Sequence, residues 1–344
     1  MLQRTLSVWS WLPIFLSLAA FPTLVVAWIQ EPLHYAALGD SYAAGDGAGP
    51  KLLWPSDSAC GRFSKAYAYQ ILNSTDPAFA SHWPAFVNNA CGGATTHSLL
   101  WEQLHLTEHK DLITIQIGGN EADFFLVLNE CIQQWHPLST CDRELTRARN
   151  LIESTALLER FDDMLGFVKR RVADGAMVLV LGYPKFFNDK TDQCNSATFS
   201  YTNPANVLSN KLRREFNALV VMLNDVIRAS AEAHGASYVD IDTAFEGHRF
   251  CERGVTEPRA DNEDTWFFRE TPSQGVATVE ELQRGRYDRQ SLLVTNSLKK
   301  FADLTRTFHP TVNGHAAIAK KIIEAVRVQM QELELLNGPT VHGG

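Results

Sequence analysis

The chain lacks the features that would mark a nucleic-acid binder, a zinc protein or a protein with several membrane spans. Its 344 residues carry 31 Lys and Arg against 39 Asp and Glu, a formal net charge of -8. No basic stripe runs through that acidic balance. Lys169-Arg170-Arg171 and Lys299-Lys300 are short enough to be solvated helix faces, so no nucleic-acid partner is expected. None of the six cysteines stands in a C-x-x-C spacing, which argues against zinc. His105 and His109 have the i, i+4 spacing of metal ligands, but no third ligand accompanies them and an exposed polar face explains them; no metal is expected. Beyond the N-terminal segment no apolar run reaches spanning length, and neither internal repeats nor low-complexity tracts occur. What remains is a chain with 45% hydrophobic residues, ample for a sizeable core.

The N-terminus reads as a targeting segment. Arg4 supplies a positive n-region, Trp9 to Val26 an apolar stretch and Val25-Val26-Ala27 a small-residue cleavage site. Pro13 and Pro22 interrupt the stretch, which disfavours a membrane anchor. Residues 1–27 are therefore expected to be a signal peptide and 28–344 the mature, secreted domain, with no stable membrane span. Cys60, Cys91, Cys131, Cys141, Cys194 and Cys251 agree with an oxidising compartment. Six cysteines allow 15 pairings and the sequence does not choose among them. Sequential pairing is preferred because it joins neighbouring loops. Asn73-Ser74-Thr75 is an N-glycosylation sequon, usable in a eukaryotic secretory pathway.

Apolar runs alternate with helical periodicity along the rest. Leu33–Leu38, Phe86–Asn89, Leu112–Ile117, Met177–Leu181 and Ser237–Asp240 read as strands. Ser209 to Ala233 reads as the clearest helix, with Leu212, Phe216, Leu219, Leu223, Val226 and Ile227 at three- and four-residue steps, a cap at Ser209 and a stop at Gly235. One long helical tract is expected from about Arg143 to Ala173, and a last helix from Gly314 to Gln331. The alternation predicts an α/β domain with a five-stranded parallel sheet and helices on both faces. From Phe245 to Leu304 the rhythm fails. That stretch is charged and irregular, carries Phe250, Trp266, Phe267, Phe268 and Tyr287, and has the length of a lid, a binding loop or an insertion. Glu280–Arg284 and Ser297–Leu304 are candidate short helices within it.

Two motifs at opposite ends carry the chemistry. Gly39-Asp40-Ser41 follows the first strand, where open α/β sheets place reactive groups. A serine hydroxyl needs a base to become a nucleophile, and His309, just before the last helix, is the candidate. An acyl-transfer site also needs donors for an oxyanion. Ala90-Cys91-Gly92-Gly93-Ala94-Thr95-Thr96 follows the second strand and suits a backbone donor at Gly93. Gly118-Gly119-Asn120 follows the third and brings a side-chain amide. In a parallel sheet all three converge on one edge.

Together these residues resemble the SGNH hydrolases, the GDSL esterases and lipases. The Gly-Asp-Ser of the first block matches Gly39–Ser41, the block-two glycine Gly93, the Gly-x-Asn of block three Gly118–Asn120, and the last-block histidine His309. The resemblance implies a three-layer α/β/α sandwich of flavodoxin-like type, with Ser41 as nucleophile and His309 as base. It further implies an oxyanion hole from the amides of Ser41 and Gly93 and the Asn120 side chain, and no cofactor. The cysteines and the Ala-Cys-x-Gly-Ala-Thr-Thr motif look especially like secreted, disulfide-containing esterases and lipases of actinobacterial type and their fungal relatives. The family commonly has Asp three residues before the histidine, where this chain has Arg306. The resemblance implies that the Arg306 main-chain carbonyl orients the imidazole instead; Asp303 is the weaker candidate. Asp40 reads as a turn or positioning residue, and His315 as a packing or capping histidine. The substrate implied is a lipid or other small acyl ester, with a polysaccharide acetyl ester or a non-catalytic binding role as alternatives.

Overall fold

In the computed structural model, β1 (Tyr35–Gly39), β2 (Phe86–Asn88), β3 (Leu112–Gln116), β4 (Met177–Leu181) and β5 (Ser237–Val239) form one sheet. All strands are parallel and their order is β2-β1-β3-β4-β5. The structure describes residues 34–76, 79, 86–107, 110–135, 137–259, 262–268 and 306–337. The expected signal peptide 1–27, His109, Lys299-Lys300, Asp303, Tyr287 and both short helices expected between Glu280 and Leu304 lie outside these residues.

β1 and β3 sit inside the sheet, and every residue of both is buried. That explains why they read as unbroken apolar runs rather than alternating ones. Helices α1 (Ser41–Ala44), α2 (Pro55–Ala59) and α3 (Tyr67–Leu72) follow β1, α4 (Thr96–Ser98) follows β2, and α5 (Phe124–Leu128), α6 (Cys141–Ile152) and α7 (Thr155–Arg171) follow β3. Helix α8 (Asn210–Ala233) precedes β5 and α9 (Val312–Asn337) closes the described chain. Successive strands run outward from β1 in opposite directions, so right-handed crossovers put their helices on opposite faces. Accordingly α3 packs with α9, and α8 with α6 and α7.

Helix α8 begins where the sequence indicates, with the Ser209 hydroxyl accepting from the Leu212 amide at 3.3 Å. Its buried stripe includes Phe216, Leu219, Leu223 and Ile227, each contributing roughly 1.5–3 kcal/mol by burial. The long tract expected between Arg143 and Ala173 is instead two helices. Ser154 breaks it: its hydroxyl caps α7 by accepting from the Leu157 amide at 3.3 Å, offering the backbone an alternative to continuing α6. Lys169, Arg170 and Arg171 are exposed in the last turn of α7, where cations suit the helix dipole.

The six cysteines pair in chain order, Cys60–Cys91, Cys131–Cys141 and Cys194–Cys251. The described part of the irregular stretch is held inside the fold rather than beside it. Phe245, Phe250 and Phe267 are buried, and Phe250 lies 5.2 Å from Phe308 and 6.0 Å from Phe187 between ring centroids. Trp266 stacks on His248 and Phe268 lies under the Arg306 guanidinium. Phe245, Phe250 and Phe267 are therefore packing residues, while Trp266 and Phe268 are partly exposed.

Candidate active site

The order β2-β1-β3 makes the carboxyl end of β1 a topological switch point, where chain connections leave in opposite directions and open a crevice. Ser41 stands there as the first residue of α1. Gly39 enters the turn at φ 138°, and a Cβ on it would lie 2.0 Å from the Gln116 carbonyl oxygen. Only glycine brings β1 this close to β3. The Gln103 amide brackets the same residue, accepting from the Gly39 N–H at 2.8 Å and donating to its carbonyl at 2.9 Å. Asp40 is the N-cap of α1: one carboxylate oxygen accepts from the Tyr42 amide at 2.9 Å.

His309 arrives from the far end of the chain, and its Nε2 lies 2.7 Å from Ser41 Oγ. Both residues are half-buried, open to solvent on one side. The loop that presents the imidazole is irregular. Phe308 sits at φ 70°, an αL conformation that costs a bulky residue of order 1–3 kcal/mol. Long-range bonds fix it. The Phe308 N–H donates to the Phe268 carbonyl, and the Phe268 N–H to the His309 carbonyl, both at 2.8 Å; the Thr311 N–H donates to the Trp266 carbonyl at 2.8 Å. Tyr42 Oη donates to the Phe308 carbonyl at 2.6 Å. The Arg306 carbonyl accepts the main-chain N–H of His309 at 3.0 Å.

The loops after β2 and β3 complete the rim. Gly93 is exposed at φ 79° with open space beside it, while the amides of Gly92 and Ala94 donate to the carbonyls of Cys60 and Cys91. Among the described residues the Gly93 amide has no such acceptor. Asn120 Nδ2 donates to the Ala94 carbonyl at 2.8 Å, tying the two loops together. An amide nitrogen has two N–H groups, so a second remains for an incoming oxygen. The Thr95-Thr96 part of the motif acts locally, with Thr95 and Ser98 forming a capping box for α4.

Beneath the rim lies a polar layer that sequence reasoning missed. Tyr183 Oη donates to Asp40 at 2.5 Å and accepts from the Gly119 N–H at 3.1 Å. Tyr183 is in turn gripped by Asn224, whose side chain accepts from its N–H at 2.7 Å and donates to its carbonyl at 2.8 Å. The nucleophile turn and the loop carrying Asn120 thus share one buried phenol. Burial pushes the Asp40 carboxyl up to about 7 against the lowering effect of Tyr183. Glu121 is also buried and raised for the same reason, with one oxygen accepting from the Thr96 amide. Nothing in the primary structure distinguishes Tyr183, Asn224 or Gln103 from ordinary core and helix residues.

His315 is fully buried in the first turn of α9; its Nδ1 accepts from the Tyr67 amide at 3.3 Å and burial pushes it down to about 3. It is a neutral packing residue. Asn73 is exposed at the end of α3, with its amide donating to the Tyr69 carbonyl at 2.8 Å. Among the described residues no cluster of three or more metal-ligating side chains occurs and no helix is long and apolar enough to cross a membrane.

Fold and site define an ester-cleaving serine hydrolase, and comparison with known proteins gives it a family. Residues 37–317 match the model of the GDSL-like lipase/acylhydrolase family, so the chain belongs to that family. It is 35% identical to a lipase of Streptomyces rimosus over 64% of this chain and 74% of that one. It is 33% identical to lipase 1 of Streptomyces coelicolor over 63% and 72%. Its structure is similar to phospholipase A1 from Streptomyces albidoflavus, with a TM-score of 0.62 at 26% identity over 85% of this chain and 99% of that one. An extracellular lipase from Streptomyces rimosus matches with a TM-score of 0.60 at 27% identity, over 85% and 99%.

Proposed function

We propose that the protein is a secreted carboxylic-ester hydrolase that works through a Ser41–His309 acyl-enzyme mechanism, on lipid or other acyl esters. The observation that carries the mechanism is the 2.7 Å contact between His309 Nε2 and Ser41 Oγ, within reach for direct proton transfer. Ser41 Oγ attacks the acyl carbonyl carbon while His309 Nε2 takes its proton. The tetrahedral oxyanion is held by the amides of Ser41 and Gly93 and by Asn120 Nδ2. Collapse expels the alkoxide, which leaves with the proton from His309. Water then attacks the acyl-enzyme with His309 again as base, and the carboxylic acid departs. In place of a carboxylate, the Arg306 carbonyl, which here accepts the main-chain N–H of His309 at 3.0 Å, is the group proposed to select the productive tautomer at Nδ1–H.

Secretion rests on the apolar N-terminal segment, the three disulfides and the extracellular lipase among the similar structures. Residues 1–27 are the proposed signal peptide, 28–344 the mature hydrolase domain, and Asn73 the glycan acceptor. The lipid preference rests on the lipases and the phospholipase A1 it resembles. Hydrolysis of p-nitrophenyl esters from acetate to long acyl chains tests it. Turnover rising beyond short acyl chains supports a lipid ester. Turnover of acetate alone replaces it with an acetyl esterase, and none on any ester with a non-catalytic binding protein.

A further inference from the structure

Tyr42 follows the nucleophile and touches the base. It is buried at 6% exposure, and its amide is fixed by the Asp40 carboxylate that caps the nucleophile's helix. Its ring lies 4.9 Å from the His309 imidazole and edge-on to Tyr183 at 5.1 Å. Its hydroxyl donates at 2.6 Å to the carbonyl of Phe308, the residue whose αL backbone aims His309. The Phe308 side chain is wedged among Phe186, Phe187 and Phe250 at centroid distances of 5.5, 5.7 and 5.2 Å. The peptide just before His309 is thus held at its side chain by the aromatic core and at its carbonyl by Tyr42.

We propose that Tyr42 is a positioning residue for catalysis, holding His309 in register with Ser41 through the main chain of Phe308. A triad carboxylate restrains the imidazole through its ring nitrogen. Here Tyr42 restrains the backbone that carries the ring, and does so from the residue next to the nucleophile. Any shift of the α1 turn carries the histidine loop with it, so the distance between Nε2 and Oγ is maintained. This inference rests on the Ser41–His309 reading above.

Tyr42→Phe removes the hydroxyl and keeps the ring, so the packing is preserved. We expect kcat on p-nitrophenyl acetate to fall about 10-fold or more, which is about 1.4 kcal/mol or more of barrier, with KM within about twofold. Fluorophosphonate labelling of Ser41 should slow in step. Tyr35→Phe is the control: Tyr35 is buried in β1 and shares a hydrogen bond with Thr114 at 2.8 Å, so its loss should lower the melting temperature and leave kcat within about twofold. In a His309→Ala background, Tyr42→Phe should cost nothing further, because the hydroxyl acts through the imidazole. The inference is overturned if Tyr42→Phe keeps wild-type kcat, if Tyr35→Phe loses as much, or if the hydroxyl still matters without the imidazole. A fully active His309→Ala single variant would instead overturn the dyad reading beneath it.

Discussion

The two halves of the site are held in contrasting ways. Ser41 owes its turn to its own neighbours, since β1 ends, Gly39 turns, Asp40 caps and α1 begins within a few residues, while Gln103 and Tyr183 brace that turn from outside. His309 is placed from a distance, by Phe268, Trp266 and Tyr42 through bonds spanning up to 266 residues of sequence. A nucleophile set by local turn chemistry leaves a compact motif, Gly-Asp-Ser. A base set by tertiary contacts leaves only a His-Pro in a loop. On the distant side Arg306 stands three residues before the histidine, and the main chain around it is tied down by Phe268, Trp266 and Tyr42.

Removing either partner should erase that asymmetry. Ser41→Ala and His309→Ala should each lower kcat by several orders of magnitude and by similar amounts, because the two act as one unit. Steady-state kinetics on short-chain esters checks this, and a large disparity between the variants would separate their roles. Next in size is the local side alone. Gly39→Ala forces a Cβ to within 2.0 Å of the Gln116 carbonyl, and should destabilise the fold by more than an ordinary surface change, by about 2 kcal/mol or more. Chemical denaturation of the purified variant measures it.

The disulfide on the local side sharpens the contrast. Cys60–Cys91 joins the loop after α2 to the loop that carries Gly93. Replacing both cysteines by serine should cost about 2–4 kcal/mol, and activity should fall at temperatures where circular dichroism still reports a folded protein. If activity and fold are lost together, the bridge braces the domain rather than the Gly93 loop.

Asp40 adds a pH dependence. Its folded carboxyl is raised from 3.8 to about 7, chiefly by burial. Between these values the native state binds more protons than the unfolded one, so this group makes stability fall as pH rises from about 4 to about 7, then level off. The slope it adds is at most about 1.4 kcal/mol per pH unit. Asp40→Asn should flatten that part of the profile measured by thermal melting; an unchanged slope would mean that other groups set it. The smallest effect is expected at Asp303. If a main-chain carbonyl orients His309, as proposed, Asp303→Asn should leave kcat/KM within about threefold, below 1 kcal/mol. A loss near 10⁴ would restore a carboxylate triad.

What could be read from the chain divides along the same line. All five strands and the helix beginning at Asn210 were legible because buried parallel strands and amphipathic helices write their periodicity into consecutive residues. The break at Ser154 was not: the buried stripe only skips from Ile152 to Leu157, with no Gly or Pro to mark the stop, and the Ser154 cap is visible only in the structure. In the site, Ser41, Gly93, Asn120 and His309 announce themselves by motif, and the structure brings Ser41 and His309 together. The residues that tie those motifs to one another are different. Tyr183 serves Asp40 and Gly119 from the end of β4, and Asn224 serves Tyr183 from the middle of α8. Such couplings exist only in three dimensions, between residues whose types are ordinary in a core.

Mass-spectrometric mapping of a fluorophosphonate adduct, with its rate followed in wild type and His309→Ala, tests the central claim most directly. The Ser41–His309 mechanism predicts a single adduct on Ser41 in the wild type and labelling at least about 100-fold slower without the imidazole, as expected when a general base is lost. An adduct on another serine, or an unchanged rate in His309→Ala, would contradict it.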